Sequence, residues 1–232
     1  MNVDAPLLSA RGIGKSYGDG PSRVRALEGI DLDVRAGEIV AVCGPSGSGK
    51  STLLNLLGLL DRPDAGTLAV HGQGAERMGD RARSRLRRGA IGFVFQSFHL
   101  IRELSLLENV ALPARIAGAS GREAERRARA LLAQMGLSPR ERHRPHQVSG
   151  GELQRAAFAR ALVNRPAVVL CDEPTGNLDG ENRQRLREMI LERSASDRQA
   201  FVIATHDPKM ARIAHRRLWL ADGRPSPEPA GA

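Results

Sequence analysis

The chain has 232 residues, 41% of them hydrophobic, which suits one large domain, or a core with one or two subdomains, around a sizeable interior. Aromatic residues make up only 3%, which argues against a stacking platform for single-stranded nucleic acid. No apolar run approaches the ~18 residues of a membrane-spanning helix, and Met1 to Ala10 lacks the basic and apolar regions of a signal peptide, so the chain is expected to stay in the cytoplasm.

The net charge of +9 is mostly arginine, clustered at Arg77–Arg88, Arg122–Arg129 and Arg140–Arg144. Such a balance suits nucleic acid, an anionic membrane surface or nucleotide, but it reads first as solvated, arginine-rich faces. Cys43 and Cys171 each end an apolar run and read as small buried hydrophobes; neither has a Cys or His neighbour at zinc spacing.

In chain order, residues 7–35 alternate between apolar and polar and carry turn signals, which predicts an antiparallel β region. Tyr17, the only tyrosine, lies in it. Residues 39–43 form a short unbroken apolar run, the pattern of a strand buried on both faces. Leucines at helical spacing over 52–58 follow, then a turn at 61–66 and a short strand over 67–70. Residues 72–89 are polar and basic. A strand over 91–95 ends at Gln96. Residues 97–145 change character: 104–117 reads as helical, although Pro113 should start or kink a segment, and Ala124, Ala128, Leu131, Leu132 and Met135 mark an amphipathic helix ended by Gly136. A long helix opens at Ser149 and runs to about Asn164. A buried strand over 168–171 ends in Asp172-Glu173-Pro174, and a helix covers 181–193. A strand over 201–205 ends in His206, one over 217–220 closes the series, and 221–232 is expected to be a loose tail. Polar residues at the ends of apolar strands that alternate with helices predict a mostly parallel sheet with ligands at the strands' carboxyl ends.

The strand over 39–43 and the helix after it enclose Gly44-Pro45-Ser46-Gly47-Ser48-Gly49-Lys50-Ser51-Thr52. This is the G-x-x-x-x-G-K-[ST] phosphate-binding loop, and strand, glycine loop, helix is the context it requires. The glycines permit positive φ and leave backbone N–H groups free to wrap a phosphate. Lys50 places a compact charge on the β- and γ-phosphates, and the Ser51 hydroxyl is a ligand for Mg²⁺. Only three of 35 basic residues are lysine, so a lysine in this loop is unlikely to be chance.

Two further features point the same way. Ser149 with Glu152 makes a capping box, yet Gly150 and Gly151 each cost roughly 1 kcal/mol of helix propensity, so the site reads as a second place where an anion meets backbone N–H groups. Asp172 is placed to hold Mg²⁺ through water, Glu173 to polarise the attacking water, Gln96 to orient water or metal, and His206 to reach the γ-phosphate.

Together these residues resemble the ATP-binding cassette (ABC) ATPases, and the resemblance covers the whole chain. Gly44–Thr52 matches the Walker A loop, Val168–Asp172 the Walker B strand, Glu173 the catalytic glutamate, Gln96 the Q-loop glutamine, Asp179 the D-loop aspartate and His206 the switch histidine. Tyr17 matches the aromatic that stacks on adenine. Ser149-Gly150-Gly151-Glu152 matches the signature, with Val148 and Glu152 departing mildly from its usual form. Residues 53–63, 93–96, 108–110 and 172–179 resemble the lipoprotein-release and macrolide-efflux branch.

The resemblance implies an α/β P-loop core with a mostly parallel sheet (1–96 and 160–220), an N-terminal antiparallel β part and a helical subdomain over 97–159. It implies ATP and Mg²⁺ as ligands, and a homodimer that sandwiches ATP between Walker A of one chain and Ser149–Gly151 of the other. It also implies integral membrane permease subunits as partners, received near Phe98–Leu107, at the inner face of the cell membrane. Nucleic acid is not expected as a partner, although a soluble ABC ATPase acting on nucleic acid or ribosomes, and a division-associated one, stay open as alternatives. In that topology the strand ending in His206 separates Cys43 from Cys171, so the two should not bridge.

Overall fold

A computed structural model describes residues 5–229; the first four residues of the N-terminal stretch and the last three of the expected loose tail lie outside it. Two sheets carry the fold. The first is antiparallel, in the order β2 (Val24–Val34), β1 (Leu8–Tyr17), β4 (Ala65–Val70), β5 (Gln73–Gly74). The second has the order β10 (Arg224–Ser226), β9 (Arg216–Ala221), β3 (Ile39–Cys43), β8 (Ala200–Ala204), β7 (Val168–Asp172), β6 (Ile91–Val94). From β9 to β6 every pairing is parallel. Every residue of β3 and β8 is buried, because helices or the other sheet cover both faces of a parallel sheet.

Two apolar layers form on the faces of the central sheet. Leu8, Ile13, Ile30 and Leu68 of the antiparallel sheet pack on Val40, Val42, Leu170 and Val202, with Leu53, Leu56 and Leu57 of α1 (Lys50–Leu57) between them. On the other face, Ile39, Val169, Phe201 and Ile203 meet α3 (Leu106–Ile116), α4 (Gly121–Gln134), α5 (Gly150–Leu162) and α6 (Gly180–Ser196). The polar stretch after β5 forms α2 (Asp80–Ala90), and a short α7 (Pro208–Ala211) follows β8.

Pro113 neither starts nor ends a helix. It sits inside α3, where it removes one i→i−4 bond, and its carbonyl accepts from Asn164 Nδ2 at 3.1 Å. The helix survives because Leu106, Val110, Ala111 and Ala114 are buried along its length.

The expectation of a loose tail over 221–232 is corrected for its described part. Residues 224–226 pair antiparallel with β9, and Asp222-Gly223 makes the turn with both φ positive (48° and 76°). Asp-Gly flanked by strand residues is a strong hairpin signal, masked here by the surrounding prolines. The hairpin is tied to β2 by Glu28 N–H donating to Gly223 O at 2.8 Å and by an Arg224–Glu28 ion pair at 2.7 Å.

Candidate active site

The carboxyl ends of β3, β7 and β8 converge, and the 44–52 loop crosses them. Gly44, Gly47 and Gly49 all have positive φ (146°, 79° and 100°), the region that costs a side-chain-bearing residue most. A Cβ on Gly44 would collide with Leu220 O, and one on Gly49 would lie 2.6 Å from Ala26 O. At Gly47 the same position faces open space. The loop is therefore walled by its neighbours on two sides and open on the third. Lys50 is 8% exposed and donates to Gly44 O at 2.8 Å and Pro45 O at 2.9 Å, which curls the loop around its ammonium. Ser48 is 2% exposed, and its Oγ has no hydrogen-bond partner among the described residues. An open cradle of positive-φ backbone, a buried ammonium and an unpartnered buried hydroxyl fit a phosphate chain.

Asp172 ends β7 and Glu173 follows it. Burial pushes the Asp172 carboxyl above its usual range, and the Glu173 charge adds to this, while the Ser51 hydroxyl and the Lys50 ammonium oppose it. Such a carboxylate gains from a cation. Among the described residues no three His, Cys, Asp or Glu side chains gather as a metal cluster. The Ser51 hydroxyl bonds this carboxylate, and the two are hard oxygen donors that would suit Mg²⁺ completed by phosphate and water.

Glu173 has φ 45° and donates its N–H to Ala204 O at 2.9 Å. This left-handed turn aims the carboxylate at His206, whose Nδ1 lies 2.8 Å from Glu173 Oε1. The glutamate side chain is 13% exposed and the imidazole 73%. A cleft of about 460 Å³ runs beside them, lined by Gly44, His206, Asp207, Arg217 and Trp219. Gln96 is exposed just beyond β6; its Nε2 lies 3.2 Å from where a Cβ on Gly176 would sit, and its carbonyl accepts from Asn177 Nδ2 at 2.9 Å. Tyr17 ends β1, 43% exposed, with its hydroxyl donating to Asp61 Oδ2 at 2.9 Å and Lys15 Nζ 5.3 Å from the ring centroid.

The signature residues form a second group. Ser149 caps α5, accepting from Glu152 N–H at 3.3 Å, while Glu152 accepts from Ser149 N–H at 2.8 Å. Glu152 also pairs through its other oxygen with Arg140 at 3.3 Å, which offsets its charge beside the N-terminus of the helix. The nearest neighbours of Gly150 and Gly151 are Asn177 and Asn182. Asp179 caps α6 and accepts from Asn182 N–H at 2.9 Å and Asn182 Nδ2 at 2.8 Å; these bonds hold its carboxyl below the usual range. Asn182 Oδ1 accepts from Arg155 at 2.5 Å. A Cβ on Gly151 would strike Asn182, so this glycine is needed for close approach of α5 and α6.

Sequence reading thus missed Asn182 and Arg155, which bind the signature to Asp179, and Asn177, which touches both Gln96 and the Gly150 region. Asn182 at N3 of α6 is ordinary in sequence, and only the i+3 spacing from Asp179 hints at it.

The family described as ABC transporter matches residues 27–176. The chain is 49% identical over 217 residues to the lipoprotein-releasing system ATP-binding protein LolD of Pseudomonas fluorescens, covering 94% of this chain and 96% of that one. It is 50% identical over 218 residues to LolD 2 of Caulobacter vibrioides, with 94% and 96% coverage. Among solved structures, the ATP-binding cassette MJ0796, in a dimeric post-hydrolysis state bound to ADP and Pi, superposes with a TM-score of 0.90 at 37% identity, over 96% of this chain and 98% of that one. CbiO1 of Clostridium perfringens, part of the ABC transporter complex CbiONQ, superposes with a TM-score of 0.84 at 26% identity, over 96% of this chain and 88% of that one. A phosphate cradle beside a half-buried acid pair, a glycine-led helix start and these likenesses along nearly the whole length make the chain a member of the ABC transporter family and an ATP-hydrolysing cassette.

Proposed function

We propose that this chain is the ATPase subunit of an envelope ABC transporter of the lipoprotein-release type, working as a homodimer at the inner face of the membrane beneath integral membrane partners. Mg²⁺-bound ATP supplies a γ-phosphoryl group whose transfer to water has little covalent demand on the protein. The residues of this chain position and neutralise. Residues 44–52 hold the phosphates through backbone N–H groups, with Lys50 as the fixed charge and Tyr17 beneath the adenine. Ser51, Asp172 and Gln96 would hold Mg²⁺. Glu173 takes a proton from water, and His206 fixes the Glu173 carboxylate and reaches the γ-phosphate. Ser149, Gly150, Gly151 and Asp179 serve the site of the partner chain.

The Glu173–His206 pair at 2.8 Å beside the half-buried Asp172 carries this reading, since it places a base next to the acid that would hold the metal. The membrane face has its own support in residues 97–105. Asn109, 1% exposed, ties that loop with bonds to Ile101, Leu104 and Ser105, and Arg160 donates to Phe98 O and His99 O. The loop is thereby fixed while Ile101 stays 42% exposed, a ready seat for an apolar helix. The helical block 97–159 would carry this seat against the core.

The test is to express the tagged chain with the native membrane fraction and purify it in detergent. Stoichiometric recovery of an integral membrane protein, with ATPase activity that rises on adding acylated protein, is the expected result. Recovery of nucleic acid or ribosomes in place of membrane protein would overturn the proposal.

A further inference from the structure

At the opposite, amino-terminal end of the central sheet lies a cleft of about 790 Å³ that none of the chemistry above uses. It is bounded by α4, the end of α5 and the turn between α6 and β8. Arg126, Arg127, Arg165, Arg193 and Arg198 line it, against one lining acid, Asp197. Arg126 and Arg127 are paired with Glu123 at 2.6 Å, and Arg193 with Asp197 at 2.7 Å. Arg165 and Arg198 have no acidic partner among the described residues. Leu131 and Val163 supply an apolar wall. Gln199, 7% exposed, also lines the cleft, and its buried Oε1 has no donor among the described residues.

The two unpaired arginines share a second property. Each follows a helix and holds a left-handed conformation, φ 50° at Arg165 and 51° at Arg198. Arg198 stands one residue past the C-cap of α6 and Arg165 two past the C-cap of α5, and glycine adopts such a backbone without strain.

We propose that this cleft is a binding site for a phosphate-bearing small molecule, distinct from the ATP site and on the far side of the sheet from it. Its volume lies within the ~300–1,000 Å³ range of small-molecule pockets. Arg165 and Arg198 hold the phosphate through their planar forks, and the paired arginines raise the local potential. The apolar wall takes the body of the ligand, and a hydroxyl or amino donor on it satisfies Gln199 Oε1. Because the cleft joins α4 of the helical block to the strand starts of the core, a ligand here bridges the two parts of the cassette.

Hydrogen exchange read by mass spectrometry, with inorganic pyrophosphate as the probe, tests this on the full chain. Pyrophosphate should slow exchange in two regions of the wild type: peptides over 44–52, from the phosphate loop, and peptides over 162–168 and 195–200. In Arg165→Gly/Arg198→Gly the second protection should vanish, with binding there weakened about tenfold for each arginine removed, while protection over 44–52 is kept. Glycine suits both backbone positions, so the double variant should fold at least as well as the wild type, and loss of folding cannot mimic the result. Unchanged protection over 162–168 and 195–200 in the double variant overturns the proposal. So does protection there by a polyglutamate peptide but not by pyrophosphate, which would make the cleft a seat for an acidic protein segment.

Discussion

At the scale of single residues, the site holds two carboxylates with different environments and different expected failures. Glu173 is aimed by its own left-handed backbone and by His206, and Glu173→Gln keeps that shape while removing the base. ATP binding should be intact and hydrolysis slower by roughly 10²–10⁴-fold in a steady-state phosphate-release assay; undiminished turnover would remove Glu173 from the chemistry. Asp172 is held in a place that disfavours its charge. Its folded pKa is raised, so ionisation at neutral pH costs stability, and the cost is relieved as pH falls through the folded pKa. Asp172→Asn should therefore raise the melting temperature of the nucleotide-free chain at neutral pH and abolish Mg²⁺-dependent hydrolysis. A lower melting temperature would show that the carboxylate is structurally satisfied. Legibility differed between such residues. Gly44, Lys50, Asp172, Glu173 and His206 were readable because strand ends and spacing fix them. Asn182 was not, since its role exists only once α5 and α6 touch.

At the scale of elements, α5 is the piece that joins the parts. It runs unbroken from Gly150 to Leu162, through the expected boundary at 159 and 160, and its end packs on β6, where a Cβ on Gly92 would collide with Ala161 O. Its first turn presents Ser149 and Gly150 at the surface, and its Gly151 lies against Asn182 of α6. On the proposed ATP sandwich, Ser149→Arg places a bulky side chain where the partner chain's phosphates would lie. Nucleotide binding by the monomer should be spared and the ATP-induced shift to dimer in gel filtration lost. Loss of the Ser149 cap adds a stability cost of about 1 kcal/mol, which a melting curve separates from the dimer effect. The amphipathic periods of α4 and α6 and the apolar runs of β3, β7 and β8 were legible because each is one pattern against one core face. Pro113 does not start α3 but sits inside it, because tertiary burial of the helix outweighs the missing bond.

For the whole molecule, sheet order decides which distant residues can meet. β8 lies between β3 and β7, so Cys43 and Cys171 are two strand spacings apart, roughly 10 Å, beyond the reach of a disulfide. Both are buried, and burial pushes both thiols upward. A thiol reagent at pH 8 should find almost none in the native chain and two after unfolding; fewer than two in the unfolded, unreduced chain would contradict the topology. The antiparallel and parallel sheets were foreseeable from alternation against unbroken apolar runs. The closing hairpin was not, because Pro225, Pro227 and Pro229 gave its composition the look of a free end.

That hairpin makes the phosphate loop depend on a stretch of chain remote from it in sequence. Gly223 N–H donates to Ser48 O at 3.2 Å, and Gly44 rests on Leu220 O, so the last strands form a wall of the phosphate loop although some 170 residues of chain separate them. A chain cut after Ala221 keeps every motif residue, and its affinity for ATP should nevertheless fall, as fluorescence titration with a labelled nucleotide would show.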